Sequence, residues 1–232
     1  MAALKSVAIA GVSLAVLGVG GYFADNAVRD NVEARVVSSL QAALHPSGTP
    51  EVELGGTPFS LALLTRTVPD AQLAVAGLPV EMAGHPVTLA DVSVTAQQLT
   101  LTDAQLVLGS ATGVARLSYD DLSAVASVPI QYGGSDRLQA SYSVSVFAQE
   151  FTASVSAVPE LDVAAQHLRL AQAKLTVAGV DLDAEALQTL IDAVVQPVDV
   201  ALPYGVRLTA ITPTPQGLQL AAAGEQLVIP LG

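Results

Sequence analysis

Hydrophobic and polar residues alternate regularly over residues 137–179. Apolar residues occupy one side of the first part of this stretch, and uncharged polar residues occupy the other: Leu138, Ala140, Tyr142, Val144, Val146 and Ala148 against Gln139, Ser141, Ser143 and Ser145. A period of two is that of a β-strand, whose successive side chains point to opposite faces. The segment therefore predicts a strand. Its second face carries almost no charge, which favours a sheet curled over something apolar.

The same alternation returns in FTASVSAV at residues 151–158, and LDVAAQHLRL and AQAKLTVAG follow as two further strand candidates. Successive strands joined by very short connections are typical of an antiparallel meander. Residues 137–179 are therefore predicted to form four antiparallel strands. The turn Gly133-Gly134-Ser135-Asp136 leads into the first of them.

Short strands are also predicted before and after this meander, at residues 51–54, 71–76, 79–82, 206–212, 218–223 and 227–230. The sequence LADVSVTAQQLTLT at 89–102 predicts either two alternating strands or one long bent strand. Ser118 is a suitable N-cap for one or two helical turns that follow it. About a dozen strands with two or three helices indicate an α+β, mainly β fold.

Two segments have the period of an α-helix. In residues 26–44, valine and leucine recur every four positions, at Val28, Val32, Val36, Leu40 and Leu44. This helix either packs on the sheet or links the domain to a membrane. The second begins near Asp183 and ends at Pro197, with a single apolar stripe formed by Leu187, Leu190, Ile191 and Val194.

Residues 6–24 contain no charged side chain over 19 positions and follow Lys5. Such a stretch is an export signal or a membrane anchor. We expect an uncleaved anchor at residues 1–25 and one domain at 26–232. The positive charge of Lys5 predicts that the domain lies outside the cytoplasm.

Composition limits the possible partners. The chain has 232 residues, 51% of them hydrophobic, but no Trp, four Phe and five Tyr. These slim side chains either close a core of Leu and Val or leave room for a guest molecule. The net charge is −12, and the nine basic residues are scattered. A nucleic acid partner is therefore not expected, because a phosphate backbone requires a row of cations, and lipid binding would depend on apolar burial.

Residues suited to catalysis are not grouped in the sequence. Cysteine is absent, and the three histidines stand in different contexts. None of the common nucleophile, metalloprotease or nucleotide-binding motifs occurs. Asp181, Asp183 and Glu185 could suggest calcium, but helix capping explains them more simply. We predict a protein that is not an enzyme and has no cofactor and no metal site.

Residues 202–224, LPYGVRLTAITPTPQGLQLAAAG, resemble the closing hairpin of the LmeA-like phospholipid-binding proteins of the bacterial cell envelope. The VELGGxPF-like segment at 52–59 and the tyrosine-containing helix start at 117–122 are also similar to that family. Gly56-Thr57-Pro58-Phe59 departs from the family's Gly-Phe-Pro-Phe, so one aromatic ring is missing. The resemblance implies a curved antiparallel sheet that wraps one or two helices, as in tubular, BPI-like lipid-binding folds. It also implies a domain on the periplasmic side of the cytoplasmic membrane, phospholipid as a partner, and a role in maintaining or transferring envelope lipids or lipoglycans.

Two apolar segments are the predicted lipid-binding site, because their large side chains lack a matching polar stripe: Phe59, Leu61, Leu63 and Leu64, together with Leu187, Leu190, Ile191 and Val194. We expect these segments to flank the mouth or wall of a cavity. The alternative is a structural or scaffolding envelope domain whose interior is filled by its own side chains and which binds no ligand.

Overall fold

The computed structural model describes residues 25–56, 62, 64–82, 85–102, 105–146, 149–177, 180–181, 198–199 and 202–230. Strands account for 63% of these residues, which confirms a mainly β fold. The helices are α1 (Asp25–Leu44) and α2 (Tyr119–Ala126), with a short 3-10 helix at Pro203–Gly205. The strands are β1 (Glu51–Leu54), β2 (Thr67–Val75), β3 (Leu78–Met82), β4 (His85–Leu101), β5 (Gln105–Leu117), β6 (Ile130–Tyr132), β7 (Leu138–Val146), β8 (Gln149–Asp162), β9 (His167–Val177), β10 (Val180–Asp181), β11 (Val198–Asp199), β12 (Arg207–Thr214) and β13 (Gly217–Pro230).

The strands form two antiparallel sheets. The larger sheet has the order β1-β2-β4-β5-β13-β12, and β3 pairs with β4 beyond the end of β2. The smaller sheet has the order β10-β9-β8-β7-β6, with β11 paired to the first residues of β9. The curved sheet predicted from the sequence is therefore divided into two open sheets, and its resemblance to BPI-like folds stays a prediction.

The predicted antiparallel meander is confirmed as the smaller sheet, but the expected number of strands is wrong. LDVAAQHLRL is not one strand, because a turn at residues 163–166 divides it between β8 and β9. In this turn the Asp162 carboxylate accepts a hydrogen bond from the Ala165 amide at 2.9 Å, and Gln166 has a φ of 54°. A side chain that bonds the backbone three residues later favours a turn over a strand. Residues 171–177 of the fourth candidate then continue β9, which ends at Val177.

Two strands of the larger sheet are long and continuous. β4 is one strand over 17 residues, so the segment at 89–102 forms one strand and not two. β13 is likewise continuous, although two strands were predicted there. The turn before β13 lies at residues 215–216, which places Pro213 within β12.

At one level of the larger sheet, the alternation of inward and outward side chains is interrupted in four neighbouring strands. In each strand two consecutive residues interrupt the alternation of inward and outward side chains: Pro69 and Asp70 in β2, Gln97 and Gln98 in β4, Gly109 and Ser110 in β5, and Glu225 and Gln226 in β13. Asp70, Gln97, Ser110 and Glu225 lie directly opposite one another. Gln98 and Gln226 have φ values of 53° and 49°. We call this feature the shift row, because it shifts the inward positions by one residue without losing the pairing of the strands.

Helix α1 packs on the larger sheet, as one of the two sequence alternatives predicts. Val32, Val36 and Leu40 are buried in its main core. Arg29 and Glu33, which lie beside this apolar stripe, also bond to the sheet. The Arg29 guanidinium donates to the Gly56 carbonyl, and Glu33 Oε1 accepts from the Leu54 amide at 2.8 Å. These bonds fix the helix along β1.

Helix α2 covers a second core on the same face of the larger sheet. Leu122 and Val125 pack against the buried side chains of Val87, Leu117 and Leu218. Ser118 is confirmed as its N-cap, because its hydroxyl accepts from the Asp121 amide at 3.0 Å. Among the described residues, neither helix combines the length and hydropathy needed to cross a membrane. The predicted anchor lies outside the described residues.

Candidate functional site

Most of the predicted lipid-binding residues lie outside the described residues: Phe59, Leu61, Leu63, Leu187, Leu190, Ile191 and Val194. Leu64 is described, and its side chain is 83% exposed. Two residues earlier, Ala62 is buried in the main core. Leu64 therefore lies at the surface of a segment that Ala62 attaches to the larger sheet. The grouping of the two predicted segments stays a prediction.

A continuous apolar surface lies on the inner face of the larger sheet, between the core under α1 and the core under α2. On β5 the inward residues between buried Leu108 and buried Leu117 are Ala111, Gly113 and Ala115. The neighbouring strands contribute Val92 and Val94 from β4, and Leu220 and Ala222 from β13. We call these seven residues the apolar floor.

The apolar floor is only partly covered. All seven residues have intermediate exposure, whereas inward residues at both ends of the same strands are buried at Leu99, Leu108, Leu117 and Leu218. The side chains at the centre are small: Val94, Gly113 and Ala222 lie side by side across three strands. Small side chains let another molecule approach the backbone of a sheet closely. The inner face therefore has a low, apolar centre between two filled ends.

The irregularities of β4 determine which residues form this floor. A bulge between Ala90 and Ser93 turns Asp91 outward with a φ of 49°, so Leu89 and Val92 both face inward. The Asp91 carboxylate then pairs with the Arg116 guanidinium on the outer side. The shift row ends the floor at its other side. Without these two features, Val92 and Val94 would not share a face with both cores.

The smaller sheet joins the larger sheet at its edge strand β12. The Gln166 side chain, which is 7% exposed, donates from Nε2 to the Leu208 carbonyl at 3.0 Å and accepts at Oε1 from the Leu208 amide at 2.7 Å. Arg207 donates to the carbonyls of Val163 and Ala164 at 2.8 and 2.6 Å. Gln166 thus takes the place of a neighbouring strand, and the turn that follows β8 covers part of an edge that would otherwise remain open.

A second connection runs through α2. The Tyr119 hydroxyl donates to the Thr214 carbonyl at 2.7 Å, and the Ser123 hydroxyl accepts from the Ile130 amide at 2.7 Å. Leu138, the first residue of β7, packs with α2 against the second core. The apolar side of β7 therefore begins beside the inner face of the larger sheet.

Two titratable groups at these connections have shifted pKa values. Burial raises the pKa of the Tyr119 hydroxyl above 10.0, although the hydrogen bond to the Thr214 carbonyl acts in the opposite direction. The hydrogen bond from the Ala165 amide is the main cause that lowers the pKa of the Asp162 carboxyl below 3.8. Both causes are structural contacts of a helix start or a turn. The part of the chain that the structure describes contains no group of three or more metal-ligating side chains.

The fold and this surface together define a mainly antiparallel β protein with an apolar inner face. The chain belongs to the LmeA-like phospholipid-binding family, whose profile matches residues 23–223. This match confirms the resemblance inferred from the sequence, and the family is a lipid-binding family and not an enzyme family. No curated protein and no solved structure matches the chain.

The apolar floor is not predicted by the sequence pattern. Its signal is weak, since alanine and glycine at every second position in GSATGVA and LQLAAAG are as compatible with an ordinary strand as with a binding surface. The shift row also hides the pattern, because the inward positions are even-numbered at Leu106 and Leu108 and odd-numbered from Ala111 onward.

Proposed function

We propose that this protein binds the acyl chains of phospholipids on the apolar floor. Membership of a phospholipid-binding family supports the class of ligand. The observation that carries the location is the partly exposed row of Val94, Gly113 and Ala222 between two filled cores. A saturated chain laid on this surface removes apolar area on both partners from water, and each buried methylene contributes about 0.8 kcal/mol.

The charges of the chain support apolar burial as the main driving force. With a net charge of −12 and scattered basic residues, the protein has little general attraction for anionic head groups. The head group would remain near solvent while the acyl chains contact the floor. Residues 187–194 are proposed as a wall of the same site. The segment around Leu64 is proposed as a separate lipid contact, because Leu64 lies three residues before Thr67, which is six strand positions from the centre of the floor.

The location and biological role form the second part of the proposal. The uncharged residues 6–24 support a tether to the cytoplasmic membrane, with the β domain on the outer side. There the protein would hold or transfer lipids in support of envelope lipid or lipoglycan maintenance, and it would act without catalysis.

Two adjacent alanines of β13 give a matched test of the floor. Ala222 faces inward beside Gly113, whereas Ala221 faces outward beside Val114. We expect Ala222→Leu to fill the floor and reduce lipid binding several-fold, and Ala221→Leu to bind like the unaltered protein. The measurement is cross-linking of the full chain to a phospholipid with a photoactivatable acyl chain, followed by peptide mapping by mass spectrometry.

The mapped adducts decide the location. Adducts on the β4, β5 and β13 peptides that are lost only in Ala222→Leu support the floor, provided that both variants have the same unfolding midpoint after removal of lipid. Equal labelling of the two variants would place the lipid elsewhere. If the unaltered β domain acquires no adduct at all, the scaffolding alternative is favoured.

A further inference from the structure

The direction of α1 determines which end of the larger sheet lies closest to the segment that precedes the helix. The contacts of Arg29 with Gly56 and of Glu33 with Leu54 show that α1 runs antiparallel to β1. Asp25, the first residue of the helix, is four residues before Arg29. At about 1.5 Å per residue, the helix therefore extends about 6 Å beyond the level of Gly56.

The strand pairing shows which residues lie at that level. The Gly55 amide donates to the Asp70 carbonyl at 2.8 Å, and Gly56 lies against the ring of Pro69. Thr67 lies two residues before Pro69 in β2, which places it about 7 Å further toward this end of the sheet. Asp25 is therefore level with Thr67, which belongs to a row across four strands consisting of Thr67, Thr100, Val107 and Val228. We call this the anchor end of the sheet.

The two most exposed large hydrophobic residues in the described part of the chain lie at the anchor end. Leu64, three residues before Thr67, is 83% exposed, and Val228 is 47% exposed. The other two, Val114 at 38% and Val163 at 44%, lie elsewhere, on the outer face at mid-sheet and in the turn after β8. Arg66 is also exposed beside Leu64.

We propose that the anchor end of the larger sheet contacts the lipid bilayer, with the side chains of Leu64 and Val228 inserted among the lipids. This inference rests on the membrane tether of the proposed function. Residues 6–24 carry no charge, and the chain enters α1 at this end, so a tether would hold the anchor end against the membrane surface. Apolar side chains at the boundary with a nearby cation are typical of contact with a bilayer interface.

The absence of cysteine makes a site-specific test straightforward. Single variants Leu64→Cys, Val228→Cys and Val114→Cys of the full chain are labelled with nitrobenzoxadiazole and reconstituted into phosphatidylcholine vesicles. Val114 is the matched control, because it is an exposed valine on the same outer face as Val228 and seven positions further along the sheet. We expect blue-shifted emission at Leu64 and Val228, and at least twofold stronger quenching there by lipids with a doxyl group near the interface.

Three results would overturn the proposal. Emission typical of water at both Leu64 and Val228, in a chain that floats with the vesicles, would leave the tether intact and reject contact at the anchor end. Equal quenching at all three positions would show a sheet lying flat on the bilayer. A chain that does not float with the vesicles would reject the tether together with this contact. Acyl binding on the apolar floor is measured separately by the cross-linking of Ala222→Leu.

Discussion

Gln166 shows how much one side chain decides in this protein. Its carboxamide combines a donor nitrogen with an acceptor oxygen, and both bond to the backbone of Leu208 at the edge of the larger sheet. The same nitrogen also donates to the Val163 carbonyl at 2.9 Å. Its backbone is in the left-handed region with a φ of 54°, which is unfavourable for a residue other than glycine. The two hydrogen bonds to buried Leu208 offset this unfavourable backbone conformation, because the turn after β8 places the Gln166 side chain against the edge strand.

Replacing Gln166 is therefore expected to weaken the connection between the sheets. In Gln166→Ala the amide and carbonyl of Leu208 lose their partner in a buried position. We expect a loss of about 1–3 kcal/mol in the free energy of unfolding, measured by chemical denaturation.

Gln172→Ala is the matched control for this change. Gln172 also has a positive φ, of 50°, and lies in the same sheet, but its side chain is exposed. Replacing Gln172 by alanine changes the backbone strain as Gln166→Ala does, but it removes no buried hydrogen bond. An equal loss of stability in both variants would contradict the role given to the Gln166 carboxamide.

The shift row is the main feature at the scale of the secondary-structure elements. Across this row the four strands stay paired, but the residues that face inward shift by one position in each strand. Gly109 is at its centre, between Gln98 and Gln226. A β-carbon added at Gly109 would lie 2.6 Å from Gln98 Oε1 and 2.9 Å from Gln98 Cβ. Glycine is required there because the outward-turned glutamine occupies the space.

Two glycines of β5 test this requirement. Gly109→Ala should destabilise the protein by about 1–3 kcal/mol, because Gln98 must move to accept the methyl group. Gly113→Ala, on the apolar floor, should be neutral or slightly stabilising, since the nearest atom to the added carbon is 3.4 Å away and alanine restricts the unfolded chain. Thermal unfolding of both variants decides the comparison, and the opposite order of stability would refute this account of the shift row.

At the scale of the whole molecule, one core packs against each end of the larger sheet's inner face, and the apolar floor lies between the two cores. A ligand that binds only the folded state stabilises it by mass action. We therefore expect removal of bound lipid to lower the unfolding temperature and its return to restore it. With lipid at a hundred times its dissociation constant, the stabilisation is about 2.7 kcal/mol.

The variants of the apolar floor provide the control for lipid removal. The unfolding temperature of Ala222→Leu should respond little to added phospholipid, whereas that of Ala221→Leu should rise as in the unaltered protein. A response that is the same in both would mean that the stabilising lipid binds away from the floor.

Periodicity alone predicted much of the architecture. It gave β1, α1, the N-cap at Ser118 and the antiparallel meander, because each depends on contacts between residues close in sequence. The same reasoning failed where a local bond interrupts an alternating run, as at Asp162 in the turn after β8. It also divided β13 into two strands, because the change of inward positions at Glu225 and Gln226 resembles a break in a strand.

The sequence by itself determined the class of this protein: a mainly β chain of a phospholipid-binding family, rich in slim apolar residues and without grouped catalytic side chains. Only the tertiary structure decided where an apolar surface remains open. Val94, Gly113 and Ala222 are unremarkable in the sequence, and they form one surface because the bulge in β4 and the strand pairing bring three strands into a particular register. Register depends on contacts between residues far apart in the chain, and no local pattern specifies those contacts.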